Sequence, residues 1–159
     1  MTLADAQNAM MLALEEANLA LEEGEIPVGA VILQNGSVIA RGHNLRETPQ
    51  DPMGHAEIVA IRRAAEALGT WRLDNCDLIV TLEPCCMCAG AIAAARLQSI
   101  IYGAADPAAG CCGSIYSLTE DPALPGRRVP VHAGIMAEEC ERLLSSFFLK
   151  KREENPCCR

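Results

Sequence analysis

The chain has 159 residues, half of them hydrophobic but only 3% aromatic, which fits one domain with a core of Ala, Leu, Ile and Val. A net charge of −8 argues against an extended nucleic-acid surface, because phosphate binding leaves a basic footprint. The first residues lack a basic flank, and Glu15 and Glu16 interrupt the apolar stretch that follows, so neither a signal peptide nor a membrane span is expected.

Leu3 to Glu23 reads as an amphipathic helix, with Leu3, Ala6, Met10, Ala13, Ala17 and Ala20 at helical spacing and Gly24 as its stop. Val28 to Leu33 is an apolar run that predicts a strand, and Asn35-Gly36 predicts a tight turn into a second strand, Ser37 to Ala40. Arg41 to Gly54 carries Gly, Asn, Pro and Asp and reads as a loop delivering the chain to a helix from about His55 to Leu68. Leu78 to Leu82 reads as a buried strand, and Pro84 favours the start of a helix reaching about Ala95. Ser99 to Tyr102 is the next strand. A Gly- and Ala-rich stretch to Ser114 leads into a short helix or turn, Val129 to His132 is the last strand, and a packed helix runs from Met136 to about Glu153. Strands separated by helices imply parallel neighbours, added here to an antiparallel hairpin. The expectation is an α/β protein: a central mixed five-stranded sheet with helices on both faces, one domain over residues 1–154, and a disordered tail at 155–159.

Nine cysteines without an export signal point to a reducing, cytoplasmic setting in which thiols serve metals or chemistry. Cys76 and Cys140 sit in apolar surroundings and read as small buried hydrophobes, while Cys111-Cys112 and Cys157-Cys158 receive no function. Cys85 and Cys88 are different. They are three apart at a helix start and share one face, which Cys86 does not. About thirty residues earlier, His55-Ala56-Glu57 opens another helix. One His and two Cys give three zinc ligands and leave the fourth position open, as a catalytic site requires. Glu57, two residues past His55, is then the group that moves a proton.

Two other classes compete. A structural zinc module would close the fourth position with Cys86 or His43 and leave Glu57 unexplained, and a thioredoxin-like redox protein would need neither His55 nor Glu57. Any basic footprint must be local, at Arg127-Arg128 or Lys150-Lys151-Arg152, both of which read plainly as solvated surface.

H-x-E followed by P-C-x-x-C is the signature of zinc nucleobase deaminases. Around it stand Gly24-Glu-Ile-Pro-Val-Gly-Ala-Val31, Gly42-His-Asn44, Asp51-Pro52, Trp71-Arg-Leu73, Thr81-Leu-Glu-Pro-Cys85, Met87-Cys-Ala-Gly-Ala91, Tyr102-Gly-Ala104, Asp106-Pro107 and Phe147-Phe148. With these the chain resembles, over nearly its whole length, the bacterial tRNA adenosine deaminases. That resemblance implies a three-layer, cytidine deaminase-like homodimer with one zinc ion per chain, acting on the wobble adenosine of a tRNA anticodon stem-loop. It implies proton transfer by Glu57, a purine-contacting amide at Asn44, a pocket wall at Val28, and a residue near the target ribose at Asp106. The sequence departs from the family pattern at Met53-Gly54 and Pro125-Gly126, on the substrate side. The alternative is a deaminase of a free base or nucleoside, of guanine or cytosine type.

Overall fold

Thr2 and Asp5 start the first helix by capping each other: the Thr2 hydroxyl accepts the Asp5 N–H at 3.2 Å and the Asp5 carboxylate accepts the Thr2 N–H at 2.9 Å. In the computed structural model, which describes residues 2–123 and 127–154, helix α1 (Leu3–Glu22) leads into the strands β1 (Gly29–Gln34) and β2 (Ser37–His43). There follow α2 (Ala56–Leu68), β3 (Cys76–Leu82), α3 (Cys86–Ala95), β4 (Ser99–Ala104), β5 (Val131–Ala133) and α4 (Ala137–Glu154). The sheet order is β2-β1-β3-β4-β5. β1 is antiparallel to both β2 and β3, and β3, β4 and β5 are parallel. The mixed five-stranded sheet expected from the sequence is therefore present.

The register assigns the helices to faces. Gly29 pairs with His43, so both point to one side, and the neighbouring Gly42 points to the other. A Cβ at Gly29 would lie 2.0 Å from the Ala13 carbonyl oxygen of α1, and one at Gly42 would lie 2.7 Å from the Ala60 nitrogen of α2. Only glycine lets these two helices approach the hairpin so closely, from opposite sides. Cys140 of α4 packs on Gly103, on the α1 side, and α3 packs beside α2. Between the layers Ile32, Leu78, Ile79, Val80 and Ile100 are wholly buried. Each such side chain contributes about 1.5–3 kcal/mol of transfer free energy, so aliphatic packing carries a core with few aromatic rings. Cys76 and Cys140 belong to this core, as expected.

Several boundaries differ from the expectation. β2 extends to His43, because pairing with β1 continues through Gly42 and shortens the loop that follows. Pro84 precedes the cap of α3 instead of occupying its first turn, since Cys85 is the N-cap. The segment near Ser114 forms turns and no helix, because its backbone donors go to Glu83 and to local carbonyls. Val129 lies before β5, its N–H given to the Thr119 carbonyl. The tail at 155–159, with Cys157-Cys158, and the segment Leu124-Pro125-Gly126 lie outside the described residues. Among the described residues no helix is long and apolar enough to cross a membrane.

Candidate metal centre

His55 and Cys85 are the N-cap residues of α2 and α3, and neither side chain caps its own helix. Both turn inward instead. His55 Nδ1 lies 3.7 Å from the Cys85 sulfur and 3.5 Å from the Cys88 sulfur, and the three ligand atoms all fall within 4.8 Å of one another. A tetrahedral zinc ion with bonds of about 2.3 Å to sulfur and 2.0–2.1 Å to nitrogen requires N-to-S edges of about 3.5 Å. The donor set is therefore spaced as three corners of a coordination tetrahedron.

The protonation of the sulfurs also fits a dication. A hydrogen bond with Cys88, then one with His55, pulls the Cys85 thiol down to about 3. The same Cys85 contact, with burial, pushes Cys88 up. Unaided, the pair holds one thiolate and one thiol; a bound metal ion stabilises both as thiolates. The hydrogen bond to Cys85 raises the His55 pKa against the opposing effect of burial. Burial also raises the carboxyl pKa of Glu57, which stands in the first turn of α2 beside Cys88. A carboxyl group raised towards neutrality can both accept and return a proton.

The remaining expected residues are arranged around this centre. Asn44 is buried; its side-chain carbonyl accepts the Ala56 N–H at 3.0 Å, and its own N–H donates to the Val28 carbonyl at 3.1 Å. Asn44 thus supplies the cap that His55 withholds from α2, and its side-chain NH2 is left as the group it can offer a ligand. Val28 and Asn44 come from the two open ends of the β1-β2 hairpin, at the rim where β3 and β4 end. Asp106 follows β4; its carboxylate accepts the Ala108 and Ala109 N–H groups at 2.9 and 3.1 Å and so also shapes a turn. His43 is no metal ligand: its Nδ1 is 2.8 Å from Glu16 of α1. Cys86 is exposed, and among the described residues the only three-ligand group is His55, Cys85 and Cys88.

Three buried glutamates hold the walls; the sequence points to a packing and hydrogen-bonding part for Glu83 alone and to none for Glu16 and Glu25. Glu83 accepts the N–H groups of Asp106, Cys112 and Ser114 at 2.9–3.0 Å and the Ser114 hydroxyl. Burial opposes its ionisation, yet these donors outweigh it and hold its carboxyl below the usual range. Glu25 accepts the Glu47 and Thr48 N–H groups at 2.8 and 3.1 Å, anchoring the loop after Asn44. Glu16 fixes His43, next to Asn44. The one signal available was a carboxylate embedded between Gly24 and the apolar Ile26-Pro27-Val28.

Fold and site together define a deaminase: residues 4–151 match the MafB19-like deaminase family. The chain is 45% identical over 150 residues to a tRNA-specific adenosine deaminase of Bacillus subtilis, covering 94% of this chain and 92% of the relative. A solved structure of a tRNA:A34 deaminase, which edits A to I at the wobble position, superposes with a TM-score of 0.82 at 44% identity, over 86% of this chain and 99% of that one. A guanine deaminase structure from Bacillus subtilis gives 0.61 at 35% identity, over 91% and 92% of the two chains. The chain belongs to the tRNA-specific adenosine deaminase family.

Proposed function

We propose that this protein is a zinc-dependent hydrolytic deaminase that converts adenosine to inosine at the wobble position of a tRNA anticodon. The observation that carries the reading is the tetrahedral spacing of His55, Cys85 and Cys88 with buried Glu57 beside Cys88. Zinc, when bound there, supplies a Lewis acid that makes water acidic enough to lose a proton near neutral pH. Glu57 takes that proton and delivers it to the purine ring nitrogen, then moves the second proton, from the hydroxyl added at C6, to the leaving amine. Water is consumed, the C6–N bond breaks, a C6 carbonyl forms and ammonia departs. Asn44 orients the flipped base with its side-chain NH2 while its carbonyl holds the start of α2. Val28 forms one wall, and Asp106 stands where the ribose would enter.

The reading includes a homodimer and a cytoplasmic setting, both supported by the family resemblance; light scattering after size exclusion checks the dimer. The decisive assay offers zinc-loaded protein an anticodon stem-loop RNA beside free adenosine, guanine and cytosine. Inosine in the RNA alone is expected. Turnover confined to a free base replaces the tRNA reading with a base deaminase.

A further inference from the structure

We infer that His43 is a positioning residue for the deamination: held to α1 by Glu16, it fixes the backbone from which Asn44 meets the base. The inference rests on the reading of Asn44 as the residue that orients the base. The His43 and Glu16 side chains are only 10% and 8% exposed, and Nδ1 of the ring lies 2.8 Å from the Glu16 carboxylate. A carboxylate accepts and does not donate, which puts the Nδ1 hydrogen in this bond. The second ring nitrogen comes within 3.5 Å of Glu23, the C-cap of α1. A buried pair of this kind is a weak source of stability, because apolar residues of similar volume replace it at little cost. Its geometry points to placement instead.

The clamp is stiff where it starts. His43 ends β2 opposite Gly29 of β1, and a Cβ on Gly29 would fall 2.0 Å from the Ala13 carbonyl oxygen and 2.8 Å from the Glu16 Cβ. The α1 backbone thus rests directly on β1, and Glu16 leaves it beside Gly29 to meet the ring of the residue paired there. The Gly29 N–H goes to the Thr81 hydroxyl at 3.1 Å, which ties this end of β1 to β3. Asn44 follows His43 at once, with its N–H on the Val28 carbonyl and its side-chain carbonyl on the Ala56 N–H. Beyond it Glu25, 1% exposed, accepts the Glu47 and Thr48 N–H groups. Carboxylates from α1 and the residues just after it therefore hold the chain on both sides, leaving Asn44, Leu45 and Arg46 between the anchors. An amide that caps α2 with its oxygen and meets a base with its nitrogen has little room for error, since a misplacement of about 1 Å can cost on the order of 10²-fold in rate.

A double-mutant cycle on zinc-loaded protein tests this, with kcat, KM and the melting temperature measured on the anticodon stem-loop. Glu16→Leu with His43→Phe replaces the pair by apolar groups and leaves no buried carboxylate unpaired. It should keep zinc and the melting temperature while raising KM about tenfold. In an Asn44→Ala background the same double change should move KM by less than about twofold, because its route to the substrate is already gone. Equal rises in both backgrounds, or a loss confined to the melting temperature, overturn the inference. His43→Gln is the milder second variant: it keeps a donor towards Glu16 on a looser side chain, and its KM rise of about threefold should likewise vanish without Asn44. Glu16→Gln still accepts from Nδ1 and should leave KM near wild type; a rise as large as that of the apolar pair would make buried charge the cause and overturn the inference. If wild type turns over only a free base, the tRNA reading falls, and the same cycle run on that base decides the part of His43. If Asn44→Ala leaves KM unchanged while wild type edits the stem-loop, the inference is overturned and the tRNA reading stands.

Discussion

The metal centre and the walls around it are built by opposite means. At the centre, the N-caps His55 and Cys85 leave their own helices uncapped and converge with Cys88 on a group that could hold a metal ion, and the proposed chemistry draws on two short stretches of chain. In the walls, buried carboxylates spend their charge on backbone N–H groups 22 to 31 residues away. The difference separates reactivity from placement. A defect at the centre should abolish turnover, whereas a defect in a wall should weaken substrate handling and stability by degrees.

His55→Ala tests the centre most severely: zinc content should fall below one ion per chain, activity should vanish, and the melting temperature should drop with the metal, since binding and folding are linked. Elemental analysis and calorimetry on the same sample check this; full zinc occupancy would show that the three-ligand set is wrong. Glu57→Gln comes next, expected to keep zinc and fold while lowering kcat by about 10²–10⁴-fold or more, as loss of a general acid-base requires. Single-turnover kinetics read the chemical step directly.

In the wall, Glu83→Ala should cost on the order of 3 kcal/mol, because it leaves several buried donors without an acceptor. The same residue predicts a pH dependence. Its folded pKa lies below the ordinary carboxyl value of about 4.5, so its contribution is fully present above that value and fades as pH falls through the folded one. Denaturant titrations from pH 6 downwards should show wild type losing stability below about pH 4.5, with less of that loss in Glu83→Gln. Asn44→Ala is the smallest in stability, about 1 kcal/mol for a lost helix cap, but it should raise KM as well. A change in stability without a change in KM would leave Asn44 with a capping role alone.

The two regions were unequally legible. His55, Glu57, Cys85 and Cys88 could be read because helix periodicity carries three-residue spacing directly into space, which also explains why Cys86 drops out. Asn44 was named only through resemblance, and its capping of Ala56 could not be foreseen because loop geometry decides whether a side chain twelve residues away arrives. Glu16 and Glu25 look like ordinary charges in the sequence, and Glu83, within the Thr81-Leu-Glu-Pro-Cys85 match, reads as core packing and local hydrogen bonding, since a buried carboxylate is distinguished only by its distant partners. The strands were recovered in order, but β2 was cut short at Ala40, since Arg41-Gly42-His43 lacks an apolar pattern and pairs through backbone bonds that leave no trace in composition.

The β1-β2 hairpin has a practical corollary. Its open ends carry Val28 and Asn44 to the rim where β3 and β4 end, so its closed end, the Asn35-Gly36 turn, faces the opposite pole of the sheet. Peptides or labels grafted into that turn should leave editing intact, which makes it the natural handle for immobilising or fusing the enzyme.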